Sequence, residues 1–429
     1  MFLSGAYTVL YGIALTILLP VEYFKRPTEV RNRWIRERTG RISLSQREQK
    51  GPCLWIHAVS VGEVAAAVPF IRALKARRPD LRIALSTVTD TGQKVARERV
   101  GAMADIFYMP FDLPGIISSA LRRINPALLV IMETELWPNC VRTASGQGIP
   151  VVLVNGRISD RSFSGYRKVR FFMKETLGLI RLFCMQSDTY AERIRMLGAP
   201  AERVTVTGNF KFDVPAPPAP PVWSERLAGP VIIAGSTHRT EEDLVVDAYV
   251  RLLSRFPALN LIVAPRHPER FGEVANILKN RGVTVIRRSD ILAGSGGDIR
   301  GSVVLVDVMG ELAATYGAAD IAVMGGSFIE HGGQNPLEPA CWGRAIVCGP
   351  HMENFPFAED FYRRGAAVHT DRDGLYDTIL RLLSEPDLRA SMGSSAMTIV
   401  RENAGATEKA VKKVLELLPP EGQAETWHH

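Results

Sequence analysis

Carboxylates that directly follow short apolar runs are the first places in this sequence where chemistry is possible. Glu63 follows His57-Ala58-Val59-Ser60-Val61-Gly62 and stands where a helical pattern begins. A carboxylate there would accept a proton from an attacking hydroxyl. A helix N-terminus favours the charged form and so lowers basicity, and a plain helix-start charge accounts for the residue as well. Glu133 and Glu135 follow the run Ala127–Met132. They would share one face if the extended pattern persists, orienting a substrate or holding a cation; an ion pair with a nearby Arg explains them equally. Lys211, in Asn209-Phe210-Lys211-Phe212, places an ammonium at a strand end, suited to a leaving phosphate or a substrate carboxylate. Arg266, after Pro265, offers phosphate a bidentate grip, and Met309-Gly310-Glu311 opens a helix with free N–H groups. The stretch Gly325–Ala340, GGSFIEHGGQNPLEPA, has Gly or Ser at five of its first nine positions. It continues as Asn335-Pro336-Leu337-Glu338, with Pro336 expected at the first helical position. Such a turn would bring amides to a nucleotide phosphate and a carboxylate to ribose hydroxyls; a connecting surface turn is the plainer alternative.

These residues have to be positioned by a regular scaffold, and the chain predicts one. Apolar runs at Leu54–Val59, Arg82–Val88, Asp105–Pro110, Ala127–Met132, Pro150–Val154, Leu182–Gln186 and Val204–Thr207 read as strands. Helical patterns alternate with them, such as Val64–Arg78 with apolar residues at 64, 68, 71 and 74. The pattern restarts with Val231–Gly235, Leu259–Ala264, Val283–Arg287, Val303–Val308, Asp320–Met324 and Ala345–Cys348, and Asp371 to Leu418 is helical in pattern. Alternation of this kind predicts an α/β protein with two doubly wound parallel sheets covered by helices. Residues 25–212 form the expected N-terminal domain and 225–418 the C-terminal one, with the last helices free to return to the first domain. The Pro/Ala-rich segment 213–224 is the expected linker, extended over Asp213–Val222. Strand carboxyl ends would then face a cleft between the domains.

A chain of 429 residues suits two domains, and 46% hydrophobic with 23% charged residues is an ordinary globular composition. The net charge of +7 admits anionic partners. Residues 1–24 supply an apolar segment without charge from Phe2 to Val21, long enough for a membrane anchor or a monotopic helix; a core helix is the bland alternative. Lys25, Arg26, Arg31, Arg33, Arg36, Arg38 and Arg41 follow, a run suited to an anionic membrane surface with the bulk of the chain in the cytoplasm. No aromatic-rich RNA motif accompanies the basic residues, so nucleic acid is not an expected partner. Five scattered cysteines without CxxC spacing predict a reducing compartment and no metal cluster.

The segments HAVSVGE, METELWPN, GNFKFD, GSTH, APRHPERF, DVMGEL and GGSFIEHGGQNPLEPA, taken together, resemble the 3-deoxy-D-manno-octulosonic acid (Kdo) transferases of lipopolysaccharide synthesis. The resemblance spans nearly the whole chain. It implies a GT-B glycosyltransferase fold, and transfer of Kdo from CMP-Kdo to the lipid A precursor (lipid IVA) at the cytoplasmic face of the inner membrane. Glu63 then matches the general base, and Glu133 and Lys211 match residues that support the transition state. Pro265, Arg266, Met309, Gly310, Glu311, Asn335, Pro336, Leu337 and Glu338 match the CMP-binding segments. The resemblance also implies a metal-independent, inverting reaction with no cofactor besides the donor. One departure is Gln334, where family members often carry His; His331 has no assigned role and is expected in a loop. Another GT-B enzyme, such as a nucleotide-sugar epimerase or lipid A disaccharide synthase, and a non-catalytic membrane-associated binding module remain alternatives.

Overall fold

The computed structural model describes residues 2–45, 51–214, 219–292, 299 and 301–420. The chain divides into two compact units: residues 1–213 with 404–429, and residues 214–403.

In the first unit, β1 (Cys53–His57), β2 (Arg82–Thr87), β3 (Asp105–Tyr108), β4 (Pro126–Met132), β5 (Val151–Gly156), β6 (Leu182–Met185) and β7 (Val204–Val206) form one parallel sheet. Their order is β3-β2-β1-β4-β5-β6-β7. A parallel sheet is covered on both faces, so its strands read as unbroken apolar runs. Side chains alternate between the faces: Cys53 and Trp55 enter one core, Leu54 and Ile56 the other.

The first three helices are α1 (Phe2–Phe24), α2 (Thr28–Arg38) and α3 (Val61–Arg77). The α3 helix begins three residues before the expected start, because Ser60 caps it by accepting from the Glu63 amide. Beside α3, helix Ala406–Leu415 completes the same core face. Asp213 holds the start of that helix, accepting from Gly405 and Thr407 amides at 2.6 Å each.

Among the described residues one helix, Gly5–Phe24, is long and apolar enough to cross a membrane. One side of it is tied to the first unit by polar bonds. Tyr7 donates to Asp112 at 2.8 Å, Thr8 to Asn139 at 3.1 Å, and the Asp112 amide donates to the Tyr11 hydroxyl at 3.3 Å. Val9, Ile13, Ile17, Val21 and Phe24 on the remaining surface are exposed.

The second unit repeats the plan with β8 (Val231–Thr237), β9 (Asn260–Pro265), β10 (Val285–Arg287), β11 (Val303–Leu305), β12 (Ile321–Met324), β13 (Ala345–Cys348) and β14 (Ala367–His369). The order is β10-β11-β9-β8-β12-β13-β14, again parallel throughout. The edge strand β14 is not foreseen by the sequence reading; its apolar run, Ala366–Val368, is short and bounded by Arg363, Arg364, Gly365 and His369. Of the Pro/Ala stretch, residues 215–218 lie outside the described residues, and Val222–Arg226 forms a 3-10 turn that buries Trp223. Four of the five cysteines are buried, Cys341 is partly so, and all are free thiols.

Candidate functional site

In an open parallel sheet, ligands gather at strand carboxyl ends where the strand order reverses direction. In the first unit that point lies between β1 and β4. The helix that follows β1, α3, carries Glu63 in its first turn, and the residue after β4 is Glu133.

Glu63 sits in the first turn of α3 within a reciprocal cap. Its carboxylate accepts from the Val59 amide at 2.8 Å and the Ser60 hydroxyl at 3.3 Å, while Ser60 Oγ accepts from the Glu63 amide at 3.5 Å. The side chain is nonetheless buried, and burial raises its pKa to about 8, with Glu133 and Glu135 adding repulsion. The expectation that the helix N-terminus would leave it a weak base is thus reversed: desolvation outweighs the amide that stabilises the carboxylate.

The extended pattern does not persist past β4. Glu133 takes a left-handed backbone at φ 54°, so Glu133 and Glu135 do not continue a common strand face. Such a conformation is costly for a non-glycine residue and persists only where its surroundings hold it. Here the Glu133 amide donates to Val154 O at 2.9 Å and its carboxylate accepts from Arg157 Nε at 2.5 Å. The ion pair weighed from sequence is therefore present, and Arg157, which the sequence reading did not name, is its partner. Burial, then Glu133, raises the Glu135 pKa.

Lys211 is placed from below. The Phe210 amide donates to Asn155 Oδ1 at 3.1 Å, Asn209 Oδ1 accepts from the Lys211 amide at 3.0 Å, and Phe210 stacks on Phe70 of α3 with centroids 5.7 Å apart. Burial lowers the Lys211 pKa; Glu133 opposes that and Arg157 adds to it. Glu63, Glu133, Glu135, Arg157 and Lys211 thus form one electrostatically coupled group.

A buried polar chain underlies it. Trp137 Nε1 donates to His57 Nε2 at 3.0 Å, and His57 Nδ1 lies 2.9 Å from Ser86 Oγ, which also accepts from Trp55 Nε1 at 2.8 Å. Since Trp137 is a donor only, His57 carries its proton on Nδ1. Burial drives its pKa down to about 3, so the ring stays neutral and structural.

In the second unit the order reverses between β8 and β12. Gly325 and Gly326 directly follow β12 there. A Cβ on Gly325 would meet Ser236 O at 2.2 Å, and Gly326 has φ 66°. Both glycines are required by the fold itself. The buried carboxylate of Glu241 ties the turn, accepting amides from His238 at 2.8 Å, Gly326 at 2.7 Å and Phe328 at 3.0 Å. Beneath it Glu242 binds Arg270 at 2.7 and 3.1 Å. No spacing in the sequence reveals this use of Glu241 in shaping the glycine turn.

Pro265 ends β9 and leaves Arg266 exposed beside it. Burial raises the Glu338 pKa and Arg266 pulls it back, so these two expected donor contacts act on each other. The helix after the turn is Leu337–Cys341, with Pro336 at the N-cap and not the first helical position; Asn335 Oδ1 accepts from the Leu337 amide at 3.2 Å. Met309 is 66% exposed, Gly310 has φ 89°, and Glu311 stands at the N-terminal boundary of a four-residue helix without capping it, its carboxylate binding Arg288 at 2.8 and 3.2 Å.

His331, without a role in the sequence reading, lies against His238 with ring centroids 4.1 Å apart, and the His267 ring centroid lies 5.4 Å from that of His238. Gln334 Nε2 is 3.3 Å from His238 Nε2. Burial, then His331 and His267, lowers the His238 pKa to about 4. These imidazoles come from the carboxyl ends of three adjacent strands, a convergence that spacing along the chain does not reveal.

Two doubly wound parallel sheets with polar groups at both switch points define the class as a GT-B fold. Solved structures of that fold are similar over most of the chain. S. aureus MnaA with UDP has a TM-score of 0.54 at 13% identity, covering 86% of this chain and 98% of that one. The UDP-GlcNAc 2-epimerase of Neisseria meningitidis bound to UDP-GlcNAc has a TM-score of 0.54 at 13% identity, covering 85% and 100%. The family model of 3-deoxy-D-manno-octulosonic-acid transferase (kdotransferase) matches residues 33–214. A 3-deoxy-D-manno-octulosonic acid transferase of Haemophilus influenzae is 35% identical over 381 residues, 86% of either chain. One of Bordetella pertussis is 34% identical over 425 residues, 95% of this chain and 97% of that one. The chain belongs to the 3-deoxy-D-manno-octulosonic acid transferase family and is a glycosyltransferase.

Proposed function

We propose that the protein transfers Kdo from CMP-Kdo to a hydroxyl of lipid IVA, with inversion and without a metal, at the cytoplasmic face of the inner membrane. The observation that carries this reading is the buried Glu63 at the switch point of the first sheet, with a pKa of about 8 and carboxylate neighbours that sustain it. A sugar hydroxyl is too weak an acid to attack unaided, and a base of raised pKa accepts its proton as the new bond forms. The acceptor oxygen bonds to the anomeric carbon of Kdo, the bond from that carbon to the CMP phosphate oxygen breaks, and CMP leaves with the electron pair. One displacement by one base inverts the anomeric centre.

The departing phosphate gains charge, which favours nearby fixed cations. Arg266 and the amides around Met309–Glu311 suit that task in the second unit, and Asn335–Glu338 suits the nucleotide. Lys211 in the first unit suits the carboxylate of the Kdo donor, and the Glu133 carboxylate, held by Arg157, suits the positive charge that develops at the anomeric carbon. The exposed apolar side of α1 and the basic run after it support membrane association. Incubation with CMP-Kdo and lipid IVA, followed by mass spectrometry, tests the reading. Product heavier by one or more Kdo units is expected; unchanged lipid IVA beside intact donor rejects it.

A further inference from the structure

A cavity of about 200 Å³ lies between α1 and the body of the first unit. It is larger than the roughly 150 Å³ apolar cavity known to take up benzene, so it has room for a segment of hydrocarbon. Leu15, Leu18 and Leu19 of α1 line one wall, and Trp34 of α2 and Phe111 line the other. Leu18 is also 56% exposed, so the slot opens at the outer side of α1.

Three wall groups do not belong with carbon: Glu22, Arg26 and Arg38. Arg38 lines the slot, with its guanidinium 4.3 Å from the Phe111 ring centroid and 5.7 Å from that of Trp34. It donates to Met109 O at 2.6 Å, while its Nε is buried without a hydrogen-bond partner, as is Trp34 Nε1. Arg26, also in the wall, is matched by Glu22 at 3.2 Å and Asp90 at 3.4 Å. Among the described residues Glu22 is the carboxylate acting on Arg38, and it is engaged by Lys25 and Arg26, each at 3.2 Å. A half-buried guanidinium whose Nε is sealed from solvent without its own anion is costly, and desolvation lowers its pKa to about 10. An anion delivered on an apolar chain would relieve that cost and fill the slot at once.

We infer that the slot between α1 and α2 binds one acyl chain of an anionic membrane phospholipid, with the lipid phosphate on the guanidinium of Arg38. None of the residues that line the slot belongs to the Glu63 group. The site rests on the membrane reading of α1 only in requiring lipid within reach. Size selects a single chain, and charge selects an anionic head over a zwitterionic one. A lipid held there would brace α1 against the body through its chain and α2 through its head.

The test uses the full chain with vesicles of phosphatidylglycerol and phosphatidylcholine, one of the two carrying bromine near the glycerol end of its chains. Bromine quenches tryptophan on contact. Labelled phosphatidylglycerol, as a minority lipid, is expected to quench fluorescence, and most of that quenching is lost in Trp34→Phe and in Ala14→Phe, which fills the slot. Labelled phosphatidylcholine at the same fraction quenches little, and the preference is lost in Arg38→Gln but kept in Arg38→Lys. Circular dichroism melts show which variants are folded; should Arg38→Gln not fold, Ala14→Phe still decides the matter. Vesicle flotation without Trp34-dependent quenching overturns the slot while leaving membrane association standing. Failure to float overturns both. Equal quenching by the two lipids overturns the phosphate contact. Recovery of fluorescence with unlabelled lipid IVA, but not with unlabelled phosphatidylglycerol, assigns the slot to the acceptor and rejects the proposal.

Discussion

Glu63→Gln separates the chemical and the structural consequences of burying a carboxylate. Gln keeps the shape and can still accept from the Val59 amide, but it takes up no proton. If Glu63 is the base, its loss costs roughly a hundredfold to ten-thousandfold in kcat. In the native protein the base must be deprotonated, and with a pKa of about 8 only about a tenth is so at pH 7. Consequently kcat/KM should rise about tenfold per pH unit below 8 and level off above it, as free-enzyme titration requires.

Stability should move the opposite way. Below an ordinary 4.5 both folded and unfolded chains hold the proton; above about 8 neither does, and the folded state then carries the full cost of a buried charge. The native protein therefore loses stability relative to Glu63→Gln as pH rises from 4.5 to about 8. At about 1.4 kcal/mol per pH unit the ceiling is about 5 kcal/mol, and residual solvent access brings it nearer about 2 kcal/mol. Urea denaturation of both proteins across that range measures the difference. A difference that stays constant with pH, together with a flat kcat/KM profile, would refute the argument.

Glu133→Gln removes repulsion from Glu63 and should shift the acidic limb of kcat/KM below pH 8, whereas Arg157→Gln exposes the Glu133 charge and should shift it upward; pH profiles of the two variants check the signs. Gly325→Ala drives a Cβ to 2.2 Å from Ser236 O and should cost more than about 2 kcal/mol by denaturant titration. Glu241→Ala leaves the His238, Gly326 and Phe328 amides without their acceptor, costing about 3 kcal/mol or more and raising donor KM in steady-state kinetics. Arg266→Lys replaces a fork by a point charge and should raise donor KM more than it lowers kcat, a split that initial-rate measurements resolve.

Much of the scaffold was legible in the sequence, because burial on both faces makes parallel strands continuous apolar runs and helices keep their own period. Thirteen strands of the two sheets lie where the apolar runs predict them, and the three-residue edge strand β14 does not. The family motifs also marked Glu63, Glu133, Lys211, Arg266 and the glycine turn as candidates. What they could not carry is environment. A motif shows that Glu63 opens a helix, yet only the fold shows that burial beside Glu133 and Glu135 outweighs the helix N-terminus and makes it basic.

Likewise, no spacing joins Arg157 to Glu133, Glu241 to Gly326 and Phe328, or His331 to His238 and His267. These partners sit on different strand ends, and parallel crossovers bring them together from far apart in the chain. The slot beside α1 has the same origin: sequence shows an apolar helix and a basic run, and packing alone leaves Arg38 facing hydrocarbon without an anion of its own. The periodicity of residue types determines which elements form. Pairwise electrostatics and desolvation depend on distance and burial, which only the tertiary structure decides.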